Sequence, residues 1–115
     1  MAVTLQASGT QTATVTTEHS LETVEATGAF TFHVDTVNMV AGDVLELRIY
    51  QIALTLGTKR LAYFVAYYGA QPTHDVMKVS VPIGNDLSDT GSLEFSLKQT
   101  FGTSRAFPFK VLKYV

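Results

Sequence analysis

The residues best suited to catalysis in this chain are its three histidines, and each lies in a setting that favours a structural role. His33 and Asp35 are two residues apart, so on a strand their side chains share one face. His74 directly precedes Asp75, and His19 follows a glutamate beside a low-complexity segment. No G-x-S-x-G sequence or other positioned nucleophile accompanies them. The sequence therefore predicts no catalytic site, and we expect a protein that is not an enzyme.

Metal ligands are present, but their spacing matches no metal-binding motif. His33 and Asp35 lack a third ligand nearby. Asn85, Asp86 and Asp89 offer oxygen atoms to Ca²⁺, but the segment lacks the spacing and the closing Glu of a calcium loop. The chain has no cysteine, which excludes thiolate metal sites, disulfides and cysteine nucleophiles. No Gly-rich loop precedes a helix, as phosphate binding would require. We expect neither a metal nor another cofactor.

Aromatic residues are better candidates for a binding surface. The aromatic candidates are Tyr50 and, in the segment Arg60–Tyr68, whose two faces are both apolar or aromatic, Tyr63, Phe64, Tyr67 and Tyr68. We expect one face to meet the core and the other to meet a second layer, a loop or a partner subunit. Tyr offers a large contact area at low entropic cost, and its ring also stacks on sugars. An ordinary core, a protein interface and a glycan site are therefore all open for these tyrosines.

Two basic residues end similar segments. The sequences TLGTKR and TFGTSR, which end at Arg60 and Arg105, share the order Thr, apolar, Gly, Thr, any residue, Arg. Each follows an alternating apolar run, so the pattern predicts two hairpins of similar plan, Gly42–Tyr68 and Gly91–Tyr114. Each Arg then lies just past a hairpin tip, where it pairs with a carboxylate of a neighbouring subunit or holds its own turn. In the first tip we expect Gly57 to adopt positive φ.

Strands position these residues, because apolar and polar residues alternate with period two along most of the chain. Weaker alternation near residues 3–7, 12–15 and 21–25 brings the expected number of strands to about eight. The clearest apolar runs are Phe30-Phe32-Val34, Leu45-Leu47-Ile49, Met77-Val79-Val81, Leu93-Phe95-Leu97 and Phe107-Phe109-Val111.

The fold class predicted from these strands is all-β. We expect a single-domain β-sandwich of about eight strands with a jelly-roll or related Greek-key topology. An immunoglobulin-like sandwich is the alternative, although its Cys and Trp core markers are absent. A chain of 115 residues fits one domain.

The amino-terminal residues form an uncharged, low-complexity part of the chain. Residues 6–17 are rich in Thr, Ser, Gln and Ala, so their own apolar burial is too small to order them. We expect an extended arm or edge strand over residues 1–17 and the sandwich domain over residues 18–115. The predicted partner-interface residues are Val3, Leu5, Thr12, Thr14, Tyr63, Tyr67, Arg60 and Arg105.

Composition narrows the classes of partner. The chain is 46% hydrophobic and 16% charged, against about 25% charged in ordinary globular proteins, so much of its surface must be neutral. Net charge is −2 and the basic residues are scattered, which argues against a nucleic-acid partner. No stretch has the apolar length that crosses a bilayer, and the amino terminus lacks a signal-peptide pattern. We expect neither a nucleic-acid nor a membrane partner.

Three segments of the chain resemble a known group of proteins. They are the opening MAVTLQASGTQTATV, the central Met39–Arg48 and the closing Leu97–Phe107. Through them the chain resembles small virion proteins encoded among the structural genes of tailed bacteriophages. The resemblance implies a capsid decoration or cement protein, homo-oligomeric, that bridges major capsid subunits in a virion assembled in the host cytoplasm. A tail or neck component, and a carbohydrate-binding β-sandwich, are the alternatives.

Overall fold

The computed structural model describes residues 2–86, 88–89 and 91–114. Residues 1, 87, 90 and 115, which the predicted segments 1–17 and 18–115 include, lie outside this description. None of the described residues forms a helix that is long and apolar enough to span a membrane. The strands are β1 (Val3–Thr12), β2 (Glu18–Val24), β3 (Gly28–Asp35), β4 (Val44–Ile52), β5 (Lys59–Tyr68), β6 (Met77–Val79), β7 (Ile83–Asn85), β8 (Leu93–Phe101) and β9 (Ala106–Tyr114).

These strands form two antiparallel sheets. The first sheet has the order β1-β9-β3, with β6 and β7 both pairing with the far side of β3. The second has the order β2-β8-β4-β5. The pairs are nested, since β1 pairs with β9, β2 with β8, β3 with β6 and β7, and β4 with β5. The predicted all-β, single-domain sandwich is confirmed by these two sheets, while the jelly-roll or related Greek-key topology stays a prediction.

Apolar side chains from both sheets meet in one core. The rings of Phe32 in β3 and Phe95 in β8 pack edge to face with centroids 5.5 Å apart, a preferred geometry for aromatic pairs. Alternate residues of β4 and β9 complete the layer, as their period-two pattern predicts. The largest fully buried apolar side chains are Val24, Phe30, Phe32, Val34, Leu45, Ile49, Leu93, Phe95, Leu97, Phe107 and Val111.

One of the two predicted hairpins is present and the other is not. Gly42–Tyr68 forms the hairpin β4–β5. Over Gly91–Tyr114, β8 pairs with β2 and β4 while β9 pairs with β1 and β3, so this segment crosses from one sheet to the other. The buried Gln99 side chain organises the crossing, because it donates to the carbonyls of Phe101 and Thr103 and accepts from the Arg105 N–H. The repeated sequence pattern marks a tight connection in both places, not a hairpin in both.

The tip of the β4–β5 hairpin also differs from the sequence prediction. Positive φ occurs at Leu56, with a value of 63°, and not at Gly57. A glycine is needed at position 57 because the backbone of Leu54 approaches it closely. A Cβ at Gly57 would lie 2.7 Å from the Leu54 carbonyl oxygen. The hairpin therefore uses glycine for space, and leucine takes the left-handed conformation.

Residues 3–17 are part of the sandwich. β1 pairs with β9 from Val3 to Thr12, with one bulge at Gln6. Beyond β1, Ala13 is buried in the core and its N–H donates to the Arg105 carbonyl at 2.9 Å. The Thr16 N–H donates to the Gln99 carbonyl at 2.7 Å. The amino-terminal segment is thus an edge strand followed by an anchored turn.

We predict that Phe95→Ala will lower the free energy of unfolding by about 3–5 kcal/mol, because it leaves a cavity between the sheets. Phe101→Ala is the matched control, since the Phe101 ring is exposed and its loss should change stability by less than about 0.5 kcal/mol. Urea titration of both variants tests this, and equal losses would contradict the assignment of Phe95 to the core.

Candidate functional site

The β1 edge of the first sheet carries three of the predicted interface residues. Val3, Leu5 and Thr12 are all exposed. Val3 lies opposite Tyr114 and Leu5 opposite Leu112 of β9, and both partners are half-buried. These four side chains form a small apolar patch on the outer face of the sheet, beside a strand edge that pairs with no other strand among the described residues.

The fourth predicted residue of this segment, Thr14, lies in the turn between β1 and β2. Its N–H donates to His19 Nε2 at 3.0 Å, and the other ring nitrogen of His19 lies 3.3 Å from Gln11 Nε2. His19 therefore holds the corner of the sandwich together.

Within β5 the structure separates two sets of aromatic residues. Tyr63 and Tyr67 are half-buried against the core, and burial raises the pKa of both phenols. The Lys78 ammonium lies 4.7 Å from the centre of the Tyr67 ring, in cation–π geometry. On the opposite face of the same strand, Phe64 and Tyr68 are 48% and 72% exposed. The accessible aromatic rings of β5 are therefore Phe64 and Tyr68.

Sequence reasoning also missed an exposed row across the second sheet. Val44 of β4 lies opposite Tyr68 of β5 on one side and Phe101 of β8 on the other. Phe101 falls on the outer face because β8 has a bulge at Thr100, next to its end. A bulge shifts the alternation by one residue, so the period-two pattern of β8 alone does not reveal this row.

Arg105 acts within its own subunit. Its Nε donates to Asp43 Oδ2 at 2.8 Å, and the Asp43 side chain is 1% exposed. The same oxygen accepts the Val40 N–H at 3.0 Å, and the Asp43 carbonyl accepts the Gly69 N–H at 2.8 Å. Asp43 therefore joins the turn before β4, the end of β5 and the β8–β9 connection at one end of the sandwich.

The ionisation of Asp43 follows from these contacts. Burial of the carboxyl disfavours its charged form, but hydrogen bonds from the Val40 N–H and the Arg105 guanidinium, with the charge of Arg105, outweigh that cost. The pKa of Asp43 is lowered as a result. Gly102 lies against this carboxylate with φ of 95°, and a Cβ on Gly102 would collide with it.

Arg60 differs from Arg105, although both end the same sequence pattern. Arg60 is exposed near the start of β5 and takes part in none of the ion pairs among the described residues. Its neighbour Lys59 pairs with Glu94 of β8 at 2.9 Å. The predicted interface residues therefore do not form one surface, since Val3, Leu5 and Thr12 belong to the first sheet and Arg60, Tyr63 and Tyr67 to the second.

A polar network covers the outer face of the second sheet. Arg48 of β4 bridges Glu18 at 2.7 Å and Glu46 at 2.6 Å. Glu18 Oε2 also accepts hydrogen bonds from the Tyr50 and Ser96 hydroxyls, each at 2.7 Å. Glu18 thus connects the edge strand β2 to side chains on β8 and β4, which stabilises the order of the sheet.

Glu18 is held in its charged form by this network. Partial burial disfavours the carboxylate, but the hydrogen bonds from Ser96, Tyr50 and Arg48, together with the Arg48 charge, lower its pKa below the ordinary value of 4.5. The network therefore holds side chains of β2, β4 and β8 together on this face of the sheet.

The first sheet has a shallow depression on its outer face, of about 150 Å³, lined by His33, Asp35, Met77, Pro108, Phe109 and Lys110. His33 Nε2 lies 2.8 Å from the Thr31 hydroxyl. Burial and the facing Lys110 ammonium lower the pKa of His33, so the ring is neutral near pH 7. Nowhere among the described residues do three or more His, Asp or Glu side chains group in a way that would hold a metal ion.

Comparisons of the chain with protein-family models, with curated proteins and with solved structures found no match. The resemblance to virion proteins is therefore an expectation that comes from the three sequence segments alone.

We predict that Gly102→Ala will destabilise the protein more than Gly42→Ala. Both glycines have positive φ, which costs an alanine about 1–2 kcal/mol. Only at Gly102 would the added Cβ also collide with Asp43, whereas nothing lies within 4 Å of it at Gly42. Thermal unfolding of the two variants measures the difference, and equal melting temperatures would show that Asp43 and the 102 turn are not in tight contact.

We predict that Glu18→Gln will lower the free energy of unfolding at pH 7 by about 1 kcal/mol. The variant should also lose less of that free energy than wild type when the pH is lowered. The pKa of Glu18 is lower in the folded state, so the unfolded chain takes up the proton first as the pH falls. The contribution is fully present above about pH 4.5 and is lost as the pH falls through the folded-state pKa. Urea titrations at pH 7 and pH 3 test this, with Glu25→Gln, an exposed position, as control. A constant difference between Glu18→Gln and wild type at both pH values would refute it.

Proposed function

We propose that this chain is a non-enzymatic structural protein of a bacteriophage virion, a decoration or cement subunit that binds across major capsid subunits. The observation that carries the proposal is the β1 edge. β1 is ten residues long, carries no charge and pairs with β9 alone among the described residues. An uncharged, unpaired edge is a template for strand addition by another chain.

The outer surface supports a role in assembly. Large apolar side chains are exposed at both ends and on both sheets, although single exposed residues are normal in any protein. In this protein several are adjacent, as with Val3 and Leu5 on β1 and with Tyr68 and Phe101 beside Val44. Adjacent apolar groups with few charges nearby are typical of the centres of protein interfaces.

A decoration protein also needs a rigid body that survives docking. The Asp43–Arg105 contact and the Glu18 network hold the connections and one edge of the second sheet in place. Rigid partners lose less conformational entropy on association, so modest contacts suffice for binding. Capsid subunits are repeated by symmetry, and repetition multiplies such modest contacts.

A tail or neck component would present the same kinds of surface, and the number of copies per particle separates the two locations. The carbohydrate-binding alternative relied on the tyrosine-rich strand. Tyr63 and Tyr67 lie half-buried against the core, so a sugar ring would have to stack on the exposed Phe64 and Tyr68.

We predict that purified particles of the phage that encodes this chain contain it on the order of hundreds of copies, as a symmetric shell requires. Quantitative mass spectrometry against the major capsid protein measures this ratio. A few copies to a few dozen would assign the protein to the neck or tail, and its absence from the particles would disprove the virion role.

The binding surface is tested by Leu5→Lys, with Leu54→Lys as the matched control. Both leucines are exposed, so both variants should fold, but only Leu5 lies on the β1 edge. Incubated with particles that lack the protein, Leu5→Lys should occupy at least about tenfold fewer sites at equal concentration, because it places a charge in the interface. Equal occupancy by the two variants would exclude the β1 edge as the docking site.

A further inference from the structure

The second sheet ends in an edge strand without the usual protection. Protein edges are normally blunted by charges, prolines, bulges or short strands. β2 carries Glu18 and Glu22 and a bulge, and the edge beside β3 is broken into the short strands β6 and β7. β5 is ten residues long and carries no charge from Leu61 to its end at Tyr68. Its one bulge, at Ala62, lies near its start. From Tyr63 onward the strand is regular and pairs with β4 alone among the described residues.

The direction of the backbone groups in this part of β5 follows from one hydrogen bond. The Gly69 N–H donates to the Asp43 carbonyl at 2.8 Å, and residues 69 and 43 continue the register that pairs Tyr68 with Val44. In an antiparallel ladder, alternate residues point their N–H and C=O groups toward the partner strand. Odd-numbered residues of β5 therefore face β4, and Phe64, Ala66 and Tyr68 face the open edge.

A weak side-chain contact agrees with this assignment. The Tyr68 carbonyl accepts a hydrogen bond of 3.3 Å from Gln71 Nε2, a long contact on the side away from β4 that a partner strand can replace. The backbone N–H and C=O groups of Phe64, Ala66 and Tyr68, which face the open edge, are placed symmetrically about Ala66. The regular segment from Tyr63 to Gly69, bounded by the Ala62 bulge and by the positive φ of Gly69, has the same centre.

We infer that two copies of this protein pair through their β5 edges, antiparallel, with Ala66 of one copy opposite Ala66 of the other. A two-fold axis at Ala66 matches every open N–H of one strand with an open C=O of the other. The two second sheets would then form one continuous sheet. The inference does not rest on the virion role, because it follows from the edge alone.

Side chains fit the same register. Directly opposed residues share a face, so on the outer face Phe64 of one copy lies opposite Tyr68 of the other, and the pair occurs twice. The small Ala66 pair on the axis leaves room for the rings on either side. On the core face Val65 lies opposite Tyr67. Aromatic pairs and aromatic–β-branched pairs are the cross-strand combinations that stabilise antiparallel sheets.

The charges of β5 select the antiparallel arrangement. The charged residues of the strand are Lys59 and Arg60, both at its start. Parallel pairing in register would place each Arg60 beside its copy, about 4.8 Å away. In the antiparallel register the two Arg60 residues are about 12 positions apart along the strands, roughly 40 Å. Repulsion between like charges therefore opposes the parallel dimer and is negligible in the antiparallel one.

The exposed area predicts a weak dimer. Phe64 and Tyr68 are 48% and 72% exposed, and aromatic side chains bury about 150–250 Å² each when fully covered. The rings of both copies thus contribute on the order of 500 Å², short of the ~1,200 Å² of stable interfaces. We expect a dissociation constant between about 10 µM and 1 mM.

Sedimentation equilibrium of the full chain up to about 2 mM tests the dimer, with Ala66→Pro and Ala66→Thr as a matched pair. Proline removes the N–H that faces the open edge and leaves the ladder with β4 intact, a position where edge strands tolerate it. Threonine keeps that N–H and forms a favourable pair with its copy. Ala66→Pro should dimerise at least about tenfold more weakly than wild type, and Ala66→Thr within about threefold of it.

A cross-linking measurement tests the register and does not depend on the proline variant folding. The chain has no cysteine, so single cysteines report without background. In the Ala66→Cys dimer the two Cα atoms lie about 5.5 Å apart, within disulfide range. In Ala62→Cys they are roughly 27 Å apart. Under mild oxidation Ala66→Cys should form disulfide dimers and Ala62→Cys should not.

Three results would overturn the inference. They are a wild-type protein that stays monomeric up to about 2 mM, a folded Ala66→Pro variant that dimerises as strongly as wild type, and an Ala62→Cys variant that cross-links as fast as Ala66→Cys.

Discussion

The rest of the molecule depends on the burial of one face of each sheet in a shared apolar core, where the rings of Phe32 and Phe95 pack against each other. With one face of each sheet committed to the core, partners can use only the outer faces and the strand edges. Nested pairing places β1 and β5 at edges of different sheets. The two proposed contacts, with a capsid and with a second copy, therefore use separate parts of the protein and do not compete for the same strand.

Many of the charged side chains form ion pairs with one another inside the subunit. Within the part of the chain that the structure describes, four of the eight basic residues form ion pairs, namely Arg48, Lys59, Lys78 and Arg105. Partly exposed pairs of this kind contribute little each to stability, but they neutralise side chains that would otherwise repel a partner. The neutrality of the surface is thus a result of internal pairing as well as of composition.

Local patterns in the sequence predicted the parts of the fold that depend on neighbouring residues. Alternation in Phe30-Phe32-Val34 and Leu45-Leu47-Ile49 identified buried strand faces, because one side of each sheet excludes water. The same reasoning failed for Gly91–Tyr114, since a tight connection looks alike whether the next strand pairs beside it or crosses to the other sheet. It also did not separate Tyr63 from Phe64, because both faces of β5 are apolar and only the pairing with β4 decides which meets the core.

The pairing of β1 with β9 brings Val3 opposite Tyr114, residues from nearly the two ends of the chain. Contacts between residues so distant in sequence require closure of a very long loop, and folding slows as such contacts accumulate. Until β9 has been synthesised, β1 lacks the strand with which it pairs. Newly made chains will therefore spend longer with one edge of β3 open, the edge that pairs with β9, than a protein built from local hairpins would. Synthesis rate and chaperone access, and not only final stability, then limit how much folded protein a cell obtains.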